Sequence, residues 1–369
     1  ASVANQFGRR WVLSETYGCS SWEFTFEGQK WVGDWQYVQG VNLRCQHLAL
    51  YSIRGCRKRD YPPAFSYQTT WWKYNPVVED YFARLGLVGS AGQPVRDVLM
   101  LHPIATGWSI VGQSDDSVAL ANHYSEALND FARAALATHY DFDFGDEMIM
   151  AEAGGVDGGA LRVGQATYRV VVIPPDTRTL LASTVDLLDQ FLDAGGTVIA
   201  VEPTPTMIEG RPDVRLAELL ARRGVTVLPD RSGLQAALEA HLPRRVSLRT
   251  VPGQEAAAVL AMQRALDDGG YAYMLFNGDR HSGQVLDMAL EGSGRLEEWD
   301  PLTGEVRPIA AEERDGRLCF RAEMGPAASR LYVVDPAGEP FAPPAEPLRD
   351  IRRYGRGLVG TYLGPTCAF

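Results

Sequence analysis

The residues best equipped for chemistry lie close together near the N-terminus, in Ser14-Glu15-Thr16-Tyr17-Gly18-Cys19-Ser20-Ser21-Trp22. A short apolar run at 10–13 precedes them, and polar groups bunched directly after such a run are the pattern of a strand end opening into a functional loop. A carboxylate at the C-terminal end of a barrel strand stands where (β/α)8 active sites are built, and aromatic neighbours offer flat apolar faces of the kind that stack on a sugar ring. Glu15 is therefore the first candidate for acid–base or nucleophilic work, with Tyr17 and Trp22 beside it. Glu23 is the fallback. Further on, Cys45 and His47 stand two apart and share one face of a strand. Such a pair could begin a metal site. With no C-x-x-C or H-x-x-x-H partner, His47 reads better as a hydrogen-bonding group in a pocket, and no metal is expected. Tyr51, Trp71 and Trp72 are further candidate platforms, with plain core or lid packing as their alternative.

The elements that must position these groups follow from periodicity. A helix is expected over 26–40, with Trp31, Trp35 and Val38 on one apolar face read as core and Gly40 as its stop. A strand over 41–51 follows, and strand–helix–strand in this order is a βα unit with parallel strands. Residues 54–72, with Pro62 and Pro63, read as a long loop over the strand ends, and 76–87 as a helix with Val77, Tyr81, Phe82 and Leu85 as its stripe. The small, polar stretch 89–94 is the expected domain boundary.

Beyond it, strands at 95–104, 168–173, 197–201 and 225–228 alternate with helices at 117–138, 183–194, 214–223 and 234–242, which points to a doubly wound α/β domain. The first three of these strands are apolar throughout and are expected to lie side by side and parallel, buried on both faces. From about 247 the pattern becomes strand and turn, at 271–277, 284–290, 295–300, 317–323 and 330–334, an antiparallel module of sandwich type. The expected fold is thus α/β. The end of a (β/α)8 barrel occupies 1–92, a flavodoxin-like doubly wound domain 93–246, and a β-rich region 247–369.

Residues 14–47 resemble the late barrel strands of the glycoside hydrolase superfamily that includes alpha-L-rhamnosidases and beta-galactosidases. In that superfamily a strand-end Glu is catalytic, and the next strand is followed by a His or aromatic substrate contact. The resemblance implies a base or nucleophile role for Glu15 and sugar contacts for Tyr17, Trp22, His47, Tyr51 and Trp72. It extends to the order of domains, because such barrels are followed by a glutamine-amidotransferase-like α/β domain without amidotransferase chemistry and then by β domains. Glu298-Trp299-Asp300-Pro301-Leu302-Thr303-Gly304-Glu305 resembles their W-D-P-x-T-G hairpin. No Cys lies between Cys56 and Cys319, so thiol catalysis in the α/β domain is excluded. That domain is expected to pack on the barrel and to mediate assembly, a homo-oligomer included. Only two barrel strands can be traced, both chain ends read as cuts, and the second carboxyl group is expected upstream of Ala1.

Composition narrows the partners. A net charge of −11 repels a phosphate backbone, so nucleic acid is not an expected partner. No apolar run approaches the roughly 18 residues of a membrane span. Five scattered cysteines, Cys19, Cys45, Cys56, Cys319 and Cys367, are odd in number and read as reduced thiols, which favours the cytoplasm. There is no Gly-x-Gly-x-x-Gly or Walker loop, and no cofactor is expected. The competing reading is a non-catalytic oligomerisation protein built on the α/β domain.

Overall fold

A computed structural model of the chain describes residues 1–59, 64–112, 114–342, 349–354 and 357–361. Pro62, Pro63, Cys367 and the last residues of the chain lie outside the described residues.

The N-terminal segment holds two parallel strands, Leu13–Thr16 and Leu43–Gln46, in a register that sets Glu15 opposite Cys45 and Thr16 opposite Gln46. The first strand starts later than its apolar run suggests. The Asn42 carboxamide takes the Val12 amide at 2.8 Å, so the ladder begins at Leu13 and Glu15 lies inside the strand. The second strand is four residues long, far shorter than 41–51.

Thr25 caps the helix Phe26–Tyr37 by accepting a hydrogen bond from the Gly28 amide, and Pro76 opens the helix Pro76–Gly89, where a missing N–H costs nothing. The core face of the first helix is in part the expected one: Val38 is buried and Trp31 packs against the core, but Trp35 is exposed, and Gln29, Gly33, Asp34 and Tyr37 also point inward. Asp34 is the unexpected member of this face. Its carboxylate accepts from Lys30, from the Tyr81 hydroxyl and from Ser329, so a charged residue is buried with its oxygens engaged and the adjacent tryptophan is turned outward.

In the middle of the chain, five strands form an all-parallel sheet in the order Val225–Leu228, Thr197–Val201, Val170–Ile173, Val98–His102, Phe142–Asp146. Alternate residues of these strands enter two cores. Leu99, Leu101, Val171, Ile173, Val198 and Ala200 pack with Leu188 and Phe191 on one face, while Met100, Val172 and Ile199 pack with Phe131 and Leu238 on the other. Period two along each strand thus gives a sheet covered by helices on both sides. Phe142–Asp146 escapes a reading by apolarity because it carries two aspartates. Asp143 is buried there against Arg96, the Tyr168 hydroxyl and Asn5. Tyr168 itself closes a three-stranded meander, Gly154–Asp157, Ala160–Val163 and Ala166–Tyr168.

The C-terminal module is two antiparallel sheets of four and six strands whose facing sides share one core, including Leu248, Met288 and Leu318 from one sheet and Tyr273, Leu275 and Tyr332 from the other. The outer face of the six-stranded sheet is also covered. Met262, Met274, Phe276, Leu331 and Val333 pack against Tyr37, Val78, Tyr81, Phe82 and Leu85 of the two N-terminal helices. This double burial explains why Tyr271–Asn277 is apolar at nearly every position. Gln93–Pro94, expected as part of a linker, pairs with Ala265 and Arg264 as the edge of the same sheet, a place that tolerates proline. The middle unit is tied to the sandwich through His139, whose Nε2 lies 2.8 Å from the Val259 carbonyl and whose Nδ1 meets Glu255.

Candidate active site

Glu15 projects from the C-terminal half of the first strand with its side chain largely in solvent, and its Oε1 lies 2.8 Å from Nδ1 of His47. Backbone pairing brings the two residues side by side, because the His47 amide donates to the Thr16 carbonyl at 2.9 Å and so carries the imidazole alongside the first strand. The neighbouring loop is built to leave room. A Cβ on Gly18 would stand 3.2 Å from Cδ2 of His47. Tyr17 and Cys19 adopt left-handed backbone angles, φ 70° and 60°, which non-glycine residues rarely take. Strain of this kind, concentrated directly after a strand-end carboxylate, is characteristic of sites where geometry is held for function.

Tyr17 is buried, so its ring is the floor of the loop and does not present a face to solvent. Its hydroxyl donates to the Gln29 carbonyl at 2.8 Å and accepts from Arg44 at 2.9 Å, while its ring touches Phe24 and Phe65. Burial, ahead of the opposing pull of Arg44, pushes its phenol up to about 12, and it stays protonated at neutral pH.

Arg44 is the residue that sequence reasoning passed over. Its guanidinium lies 4.1 Å from the centre of the Phe82 ring and pairs with Glu79 at 2.8 Å. Glu79 also accepts from Gln46 at 2.6 Å and from Asn75 at 2.9 Å, so the second strand is clamped to the helix Pro76–Gly89. The available signal was alternation, since Arg44 and Gln46 occupy the face opposite Cys45.

The remaining candidates are spread out. Trp22 is half-buried, and Trp71 packs edge-on against Phe26. Tyr51 is 98% exposed and Trp72 42% exposed, both on the excursion that follows His47. Glu23 is exposed and engaged with its near neighbour Ser21. Cys19, Cys45, Cys56 and Cys319 are thiols. Among the described residues no group of three metal-ligating side chains is present, and no helix is long and apolar enough to cross a membrane. The arrangement offers an accessible carboxylate with an imidazole nitrogen 2.8 Å away, near the end of a parallel strand pair. Such a group can accept a proton or attack a carbon centre.

The family model for alpha-L-rhamnosidase matches residues 1–312. No curated protein matches the chain in sequence. Among solved structures, a rhamnosidase from Novosphingobium sp. PP1Y is similar at a TM-score of 0.71 and 18% identity, over 96% of this chain and 34% of that one. An apo exo-carrageenase from Bacteroides ovatus is similar at a TM-score of 0.55 and 14% identity, over 90% of this chain and 43% of its own. A beta-galactosidase from Bacillus circulans sp. alkalophilus follows at 0.52 and 13%, over 82% of this chain and 52% of its own. The chain therefore spans about a third to a half of the length of these structures, and at such identities the likeness is one of fold.

Proposed function

The chain belongs to the alpha-L-rhamnosidase family, and on that premise we propose that it forms part of a glycoside hydrolase acting on alpha-L-rhamnosides, with Glu15 as base or nucleophile. Cleavage of a glycosidic bond needs two carboxyl groups, one to protonate the leaving oxygen and one to activate water or attack the anomeric carbon. Glu15 suits the second role because it is accessible near a strand end and lies 2.8 Å from Nδ1 of His47, the observation that carries this reading. Glu79 suits neither, since both its oxygens are occupied by Arg44, Gln46 and Asn75. The acid then comes from a barrel strand outside this pair. Trp22, Tyr51 and Trp72 would supply stacking faces and His47 a contact to a sugar hydroxyl, with Tyr17 holding the loop from below.

The barrel reading is supported by Leu13 and Leu43, which are exposed on a parallel pair, whereas parallel strands are ordinarily covered on both faces. The flavodoxin-like reading of the middle unit is supported by its strand order, 2-1-3-4-5 when numbered along the chain. The four thiols support a cytoplasmic setting.

The test is Glu15→Gln in a protein that contains the whole barrel, with release of nitrophenol from an aryl alpha-L-rhamnoside as the readout. We expect turnover to fall by about three orders of magnitude or more with the melting temperature almost unchanged, and azide to restore activity if Glu15 is a nucleophile. Turnover within about tenfold of the parent would sink the assignment and pass the role to Glu23.

A further inference from the structure

At the ends of the two parallel strands opposite Glu15 and His47, a cavity of about 440 Å³ opens between residues 4–10, Val12 and Asn42 just before the two strands, the connection 90–94 and Arg264. Arg264 is buried, at 8% exposure. Its Nε donates to the Ala91 carbonyl at 2.5 Å and its Nη2 to the Gly92 carbonyl at 3.0 Å, both neutral acceptors. Among the described residues no carboxylate oxygen comes within 4.0 Å of its guanidinium. Other sheltered arginines of this protein are treated differently: Arg96 is held by Asp141 and Asp143, Arg245 by Asp97 and Glu291, and Arg44 by Glu79. A buried charge without a counter-charge is costly, and a second cation nearby adds to the cost. Burial first, and then Arg96, lower the Arg264 guanidinium to about 10. Arg9 and Arg10 add two exposed cations to the cavity lining, against the single charge of Asp267.

We propose that this cavity is a second binding site, separate from the candidate active site, for a small sugar-sized oxyanion whose carboxylate or phosphate group sits against Arg264, with Arg9 and Arg10 at the rim. Its volume falls within the range of small-molecule pockets. Nη1 of Arg264 has no protein acceptor among the described residues, and planar guanidinium edges are suited to just such groups.

The experiment is calorimetric titration of the 369-residue chain with inorganic phosphate, with glucuronate, and with glucose as the neutral control. Saturable binding of one or both oxyanions, no binding of glucose, and weakening on added salt are expected. Arg264→Gln should weaken that binding by about tenfold or more, in line with loss of a charge-assisted pair. The exposed double variant Arg9→Ala/Arg10→Ala should weaken it as well and keeps the test open if the buried substitution fails to fold. Glu15→Gln should leave binding unchanged, which separates this site from the catalytic proposal. Absence of saturable oxyanion binding, equal affinity for glucose, or affinity unaffected by both arginine variants would overturn it.

Discussion

Asp34 is the residue on which the N-terminal segment turns, and its environment makes a pH signature. Burial, opposed chiefly by Lys30, raises its carboxyl above the ordinary 3.8. The folded state therefore holds this proton at pH values where the unfolded chain has released it. Its contribution to stability is complete below 3.8 and is lost as pH rises through the higher folded value. Asp34→Asn keeps an acceptor for Tyr81 but cannot titrate, so its stability should vary less with pH just above 3.8 than that of the parent. Urea melts across that window decide it, and parallel curves would assign the dependence to another group. At this scale the sequence was informative about Glu15 and His47 as residue types, because Glu15 follows a short apolar run and His47 stands directly after the next strand. It carried no information on their 2.8 Å contact or on Tyr17 being buried, since both depend on the register of two strands about thirty residues apart.

At the scale of elements, the helix Pro76–Gly89 was legible in its period: Tyr81, Phe82 and Leu85 are buried as expected, Val78 and Val88 join them, and Val77 alone of the expected stripe is exposed. The buried stripe packs on the six-stranded sheet, and Arg84 of the same helix also reaches the C-terminal module. Its Nη1 donates to the carbonyls of Pro301 and Leu302 at 2.8 and 3.0 Å, in a turn where Asp300 accepts from the Leu302 amide and Gly304 has a positive φ. The Trp299–Asp300–Pro301 hairpin thus serves as a latch for this helix. Arg84→Ala should cost about 1 to 3 kcal/mol, the worth of a charged hydrogen-bonding group, measured by chemical denaturation. A loss below about 0.5 kcal/mol would mean that solvent replaces the latch.

For the molecule as a whole, the six-stranded sheet is the organising surface, sandwiched between its partner sheet and the N-terminal helices. A chain beginning at residue 93 would uncover Met274, Phe276, Leu331 and Val333 together, an apolar patch of the kind that drives association. We expect such a truncated chain to bind a hydrophobic dye and to self-associate in sedimentation. A monomer with the melting behaviour of the intact chain would show instead that the helices are dispensable. The sequence alone determined the strands that are apolar on both faces, the alternation of the middle unit and the strand-rich end, because those depend on local period and on burial that every neighbour shares. Only the tertiary structure decided that residues 93–94 join the sandwich, that Asp143 makes a strand out of a polar stretch, and that Arg264 is left without a carboxylate. Each of these depends on where a charged or polar group finds its partner, and in this chain those partners are as much as about 170 residues away.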